Sequence, residues 1–285
     1  MRLVTYEDHL GAAHLGVLRG DEVLRVDCDG DMVAFIEAGE PALELARQSS
    51  EVVVPERLLS PLRPRTLRDF LTFEGHAKAA MEALGRGPDL PDLWYEVPAY
   101  YKGLPDTVVG DGAEIPWPPY ADQLDYELEL ACVIGRPGRD IAAGDALDHV
   151  FGWTLWNDLS ARDTQARELP LGMGPGKAKD WDGANVLGPC LVTADEVDGT
   201  DLELVLRVNG EERTRARSSQ MHHGWGALIA YASQACTLHP GEVLGSGTVP
   251  GGAGVESGRV LAPGDLVELE GAGIGVLANR IGPRP

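Results

Sequence analysis

Three carboxylates stand two residues apart in "LDYELELACVIG", residues 124–135: Asp125, Glu127 and Glu129 alternate with Tyr126, Leu128 and Leu130. In an extended strand alternate side chains share a face, so the three would project together from an apolar back. Like charges at that spacing repel. The segment runs into "ACVIG", apolar on both faces and therefore buried, where a carboxylate is costly unless paired or metal-bound. A second apolar stretch, "FGWTLWNDLSARD", ends in another carboxylate, Asp158. A hard divalent cation with oxygen ligands would relieve such crowding. The plain alternative is a half-exposed strand with an acidic outer face, and spacing alone does not decide between them.

Cations are needed near such a site if it takes an anion. The chain carries 24 Lys and Arg against 45 Asp and Glu, a net charge of −21. That field repels phosphate backbones and argues against nucleic acid as a partner. An anionic substrate would therefore need a local cationic site. Arg162 and Gln165 are three residues apart and share one face of a short helix after Asp158. Lys177 and Lys179 lie in the glycine-rich "GMGPGKAKDWDG". A solvated surface charge is the ordinary role for either lysine.

The positioning elements can be sketched. With 285 residues, 36 Gly and 20 Pro, the chain reads as one or two domains, α+β and mostly β. Residues 1–62 read as a small N-terminal α/β domain with a hairpin at Gly20-Asp21, and the Pro- and Arg-rich "SPLRPRTLRDF" as the linker into residues 63–285. Phe70, Phe73, Ala77, Ala80, Met81 and Leu84 have helical spacing, which predicts a helix capped by Thr66, stopped by Gly85 and containing His76. The turn-rich, aromatic stretch that follows, to about residue 123, predicts a long loop crossing a pocket. An Asn209-Gly210 hairpin and a helix with Trp225, Leu228, Ile229 and Ala232 on one face follow. Cys28, Cys132, Cys190 and Cys236 form no C-x-x-C pair and predict reduced, mostly buried thiols. No apolar signal core and no run of about 18 apolar residues appears, so the expectation is a cytoplasmic protein with no membrane partner.

Several longer motifs occur in order: "RDFLTFEGH", "DYELELACVIG", "WNDLSARDTQ", "KDWDGANVLGP", "TLHPGEVLGSGT" and "LAPGDLVELEGAGIGVLANRI". Together they resemble the fumarylacetoacetate hydrolase family from about residue 60 to the end. The resemblance implies a mixed β-sandwich roll and a homodimer. It implies a divalent metal, magnesium with calcium or manganese as substitutes, held by Glu127, Glu129, Asp158 and Asp69. It implies His76 as general base with Glu256 as its partner, Lys179 as the motif lysine, and Arg162, Gln165 and Tyr101 as substrate contacts. A glutamate three residues after the histidine, found in acylpyruvase-like relatives, is replaced here by Ala79. A second substrate tyrosine has no counterpart in "AREL", which counts against fumarylacetoacetate itself as the substrate.

The activity implied is metal-dependent hydrolysis of a C–C bond in a small anionic β-diketo acid, an acylpyruvate or a fumarylacetoacetate-like compound. The runner-up is decarboxylation or isomerisation of an oxaloacetate-like 2-oxo acid on the same site. That reading gains if His76 and Glu256 are out of hydrogen-bond reach of each other. A non-catalytic metal-binding protein and a metal-dependent nuclease are the readings from other classes; the intact residue set and the acidic charge, respectively, oppose them.

Overall fold

A computed structural model describes residues 1–83 and 85–285. Leu84, the last position of the helical pattern above, lies outside the described residues. The described residues are mostly β, in a twelve-stranded mixed sheet, a five-stranded sheet and a two-stranded ribbon.

Strand Leu128–Ile134 is the spine of the large sheet. It pairs antiparallel with Val150–Asp158 on one side and with Val243–Gly245 on the other. Its side chains feed two cores by strict alternation. Leu128, Leu130, Cys132 and Ile134 pack into a core shared with Leu204, Leu206, Leu269 and Leu277 of the smaller sheet. Ala131 and Val133 face a second core with Phe35 and Ile36 of helix Met32–Ala38. Every residue of this strand is buried, and full burial of one leucine stabilises the fold by about 1.5–3 kcal/mol. Glu129 shares the face of Ala131 and Val133, so the backbone delivers a carboxylate into an otherwise apolar layer.

The N-terminal segment is hydrogen-bonded into the same sheet. Strand Arg2–Glu7 pairs antiparallel with Ala13–Arg19, and at Arg2 and Leu3 with Val192 and Leu191 of Asn185–Thr193. The Gly20-Asp21 turn joins Ala13–Arg19 to Glu22–Val26, and Asn209-Gly210 joins Glu203–Val208 to Glu211–Arg217. Asn209 and Gly210 have φ of 53° and 77°, the left-handed backbone a two-residue hairpin needs.

Three local expectations are corrected. Leu67–Phe70 is a strand, parallel to Val243–Gly245 and antiparallel to Tyr100–Gly103, and the helix begins only at Glu74 and runs to Ala83. That strand is buried on both faces, so it shows no alternation and Phe70 and Phe73 mimic a helical period. Thr66 caps no helix; its hydroxyl donates to Glu242. Second, Asp125 and Glu129 do not share one strand. Leu124–Asp125 pairs with Ser160–Ala161 in the two-stranded ribbon, while Glu129 lies on Leu128–Ile134. Third, only Cys132 and Cys190 are buried; Cys28 is half-buried and Cys236 exposed, and all four are free. The stretch after Gly85 is also less irregular than a loop, with helix Asp92–Glu96 and strand Tyr100–Gly103. Among the described residues no helix is long and apolar enough to cross a membrane.

Candidate active site and metal centre

Four strand ends converge on one point. Asp69 is on Leu67–Phe70, Glu129 is the second residue of Leu128–Ile134, Glu127 just precedes that strand, and Asp158 ends Val150–Asp158. All four carboxylates are buried, and each offers an oxygen within 4.8 Å of the others. Glu129 Oε2 and Asp158 Oδ1 are buried with no hydrogen-bond partner. Two buried carboxyl oxygens without a partner leave a place that a cation could satisfy. The all-oxygen donor set fits a hard divalent ion.

The surroundings hold the carboxylates in place. Thr248 donates to Glu129 Oε1 at 3.3 Å, Gly247 N–H to Asp69 Oδ1 at 3.2 Å, and Tyr101 Oη to Asp158 Oδ2 at 2.6 Å. Gly245 sits directly against them. A Cβ there would stand 2.6 Å from Asp69 Oδ1 and 2.7 Å from Glu129 Oε2.

Two buried cations meet the cluster. Lys179 Nζ donates to Glu127 Oε2 at 2.6 Å and to Asp158 Oδ2 at 2.5 Å. Arg162 spreads its guanidinium over three partners: Nε to Asp125 Oδ2 at 2.8 Å, Nη2 to Glu127 Oε1 at 2.7 Å and Nη1 to Gln165 Oε1 at 2.9 Å. Lys177, by contrast, is exposed. The glycine-rich turn that carries Lys179 is pinned to the Arg162 helix. Glu168, at the end of that helix, accepts the N–H groups of Gly176, Lys177 and Ala178.

Electrostatics split the four acids. Burial pushes the carboxyls of Glu129 and Asp69 well up, and neighbouring anions add to it: Asp69 beside Glu129, and Asp158 beside Asp69. Burial also raises Asp158, with Lys179 opposing. Glu127 is buried too, but Lys179 and Arg162 outweigh that and hold it below the usual carboxylate range. Burial works against the charges of Lys179 and Arg162, yet their anionic neighbours keep both pKa values above normal.

A basic group completes the site. His76 is the third residue of helix Glu74–Ala83 and is buried. Its Nδ1 stands 2.8 Å from Glu256 Oε1. Glu256 lies in the short 3-10 turn Gly254–Glu256, where it also accepts the N–H groups of Gly251 and Ala253. A carboxylate only accepts, so Nδ1 carries the hydrogen and Nε2 is the free basic nitrogen. His76, Tyr101, Glu127, Arg162, Gln165 and Lys179 line one pocket of about 340 Å³.

A family model described as the C-terminal domain of fumarylacetoacetate (FAA) hydrolase matches residues 65–282. The chain belongs to the fumarylacetoacetate hydrolase family. Among curated members of this family, it is 33% identical to "Oxaloacetate tautomerase FAHD2A, mitochondrial" of Bos taurus over 298 residues, covering 99% of this chain and 91% of the relative. The human protein of the same name is 33% identical over 299 residues, with the same coverage. Solved structures of the fold include the fumarylacetoacetate hydrolase of psychrophilic Exiguobacterium antarcticum, 29% identical at TM-score 0.80 over the whole of both chains. The 5-carboxymethyl-2-hydroxymuconate delta-isomerase of Mycobacterium smegmatis is 27% identical at TM-score 0.76, again over both whole chains.

The structure brings all ten residues singled out from the sequence into one region: Asp69, Glu127, Glu129 and Asp158 in the cluster, and His76, Glu256, Lys179, Arg162, Gln165 and Tyr101 around it. The hydroxyl of Tyr101 is directed to Asp158. Sequence reasoning missed Gly245, Gly247 and Thr248, although all three stand in the "LGSGT" stretch that helped mark the family. It also missed the partners of Asp125, which is outside the carboxylate cluster and accepts from Arg162, Tyr126, Gly254 and Val255.

Proposed function

We propose that the protein is a divalent-metal-dependent tautomerase of an oxaloacetate-like 2-oxo dicarboxylic acid, interconverting its keto and enol forms. The observation that carries this reading is the four-carboxylate cluster beside a pocket lined by Arg162, Gln165 and Lys179, which suits a 2-oxo acid dianion. The His76–Glu256 pair, 2.8 Å apart, meets the condition set above for hydrolysis and serves either chemistry as its base. The full-length likeness to proteins named oxaloacetate tautomerases favours this chemistry over hydrolysis.

Asp69, Glu127, Glu129 and Asp158 would hold the ion, magnesium with calcium or manganese as substitutes. When bound, such an ion acts as a Lewis acid on the oxygens of a 2-oxo carboxylate. Arg162 and Gln165 face the substrate's carboxylate, where a guanidinium binds with direction as well as charge. Lys179 offsets negative charge beside Glu127 and Asp158, so a dianion can approach an acidic cluster. His76 Nε2 takes a proton from C3 of the keto form, and the same imidazole returns it to the C2 oxygen, giving the enol. Glu256 stabilises the imidazolium between the two steps. The reverse sequence gives the keto form.

The second reading is hydrolysis of a β-diketo acid such as an acylpyruvate. One observation favours it: the histidine is within reach of its glutamate, so the site keeps a base able to deprotonate water. Decarboxylation would not use that pair. The discriminating experiment follows the enol absorbance of oxaloacetate, and acetylpyruvate cleavage by NMR, with magnesium, after chelation and after magnesium is restored. Metal-dependent relaxation of the enol without acetate release supports the tautomerase. Rapid acetate release with no effect on the enol supports the hydrolase, and neither activity sinks both.

A further inference from the structure

We propose that Asp125 is a positioning residue that fixes the substrate-binding arginine and the base pair in one geometry. The proposal rests on the reading of Arg162 as a carboxylate contact and of His76–Glu256 as the proton-transfer pair.

Asp125 is completely buried, yet it is not part of the carboxylate cluster. Its Oδ2 accepts Arg162 Nε at 2.8 Å and Val255 N–H at 2.9 Å. Its Oδ1 accepts Gly254 N–H at 2.8 Å and Tyr126 N–H at 2.9 Å. Gly254 and Val255 are the first two residues of the turn that ends at Glu256. One carboxylate therefore ties two arms together. Through Arg162 it sets the group that also contacts Glu127 and Gln165. Through the turn it sets Glu256, and so the ring of His76. The packing leaves little slack: a Cβ on Gly254 would stand 2.5 Å from Asp125 Oδ1.

The chemistry requires a carboxylate here. Four donors converge, two on each oxygen, and only an ionised carboxylate accepts at both positions. An asparagine would turn its own N–H₂ toward two of the four donors, whichever way the amide faced. Two buried hydrogen bonds would be lost and two N–H donors left facing the amide's own N–H₂.

The test compares Asp125→Asn, Glu256→Gln and the double variant in oxaloacetate tautomerisation, with magnesium and oxalate titrations of each protein. Asp125→Asn is expected to lower kcat/KM about a hundredfold, the scale of a displacement near 1 Å, through both KM and kcat. Oxalate, which binds without reacting, should bind about tenfold more weakly, as expected when a charged contact is misaligned. Magnesium alone should bind as it does to the unaltered protein. The decisive result is non-additivity: Glu256→Gln should cost far less in the Asp125→Asn background than alone. Equal cost in both backgrounds would overturn the proposal and reduce Asp125 to general packing. A Glu256→Gln protein with unaltered kcat would instead overturn the base-pair reading. If Asp125→Asn does not fold, Val255→Pro deletes one donor of the turn and leaves Arg162 bonded. It should lower kcat severalfold with KM little changed, and an unchanged kcat would overturn the proposal.

Discussion

His76 Nδ1 and Glu256 Oε1 meet at 2.8 Å although 180 residues separate them in the chain. The pairing fixes which imidazole nitrogen is free, and with it which atom can move a proton. His76→Gln is expected to slow proton exchange at oxaloacetate C3 by about 10²–10⁴-fold, the usual contribution of a placed general base. Solvent deuterium incorporation followed by NMR measures it. Magnesium affinity should stay the same, because His76 is outside the carboxylate cluster. Exchange at the unaltered rate would show that the ring is structural.

Gly245→Ala tests the cradle behind the metal site. No positive φ is involved, so the backbone accepts alanine; the obstacle is the contact at 2.6–2.7 Å with Asp69, Glu129 and the buried Trp156 ring, which leaves the carboxylates as the groups that must give. Displacing two ligands should weaken magnesium binding about 10–100-fold, with loss of activity that excess magnesium partly restores. Isothermal titration gives the affinity, and an unchanged value would mean that the cluster is not the site.

Lys179→Met should have opposite effects on ion and substrate. Without Lys179, Glu127 and Asp158 lose a buried cation, and the metal-free protein should be destabilised by about 3–5 kcal/mol. Magnesium no longer competes with an ammonium for those oxygens, so its stabilising effect should exceed that in the unaltered protein. KM for oxaloacetate should rise. Thermal melts with and without magnesium decide, and an equal magnesium-induced gain in both proteins would contradict the argument.

Metal binding should strengthen with pH. Asp69 and Glu129 hold protons more tightly in the fold than in an unfolded chain, where carboxyls titrate near ~4. For the metal-free protein, the stability from these groups is present below that unfolded value and falls as pH rises toward their raised values. The metal takes the ionised forms, so affinity gains up to about tenfold per pH unit for each proton released. The magnesium-induced gain in Tm should therefore grow as pH rises above the ordinary carboxylate range. A gain that shrinks as pH rises would contradict it.

The candidate site residues were easier to read than the elements that carry them. Glu127, Glu129 and Asp158 stood out because buried carboxylates need a reason. Asp69 and His76 stood out only through a motif; His76 lies in a helix as expected, but Asp69 was assigned to that helix and sits on a strand. Leu67–Phe70 is interior on both faces, so its sequence has no period that separates strand from helix. Asp125 looked like a third member of an acidic face because the end of strand Leu124–Asp125 leaves no mark in the pattern. Glycine at 245 carries no side chain to suggest a role, and only the coordinates show what a side chain would strike.

Strand Arg2–Glu7 has one more effect, on solubility. Its first residues cover Leu191 and Val192 on Asn185–Thr193, whose other side pairs with the strand that ends in Asp158. A chain cut after residue 62 would retain every candidate site residue and still bare the main-chain N–H and C=O groups of that strand. An uncovered edge of this kind recruits other strands, so the truncated protein should aggregate. In this protein the first few residues act as a guard for a site they never touch.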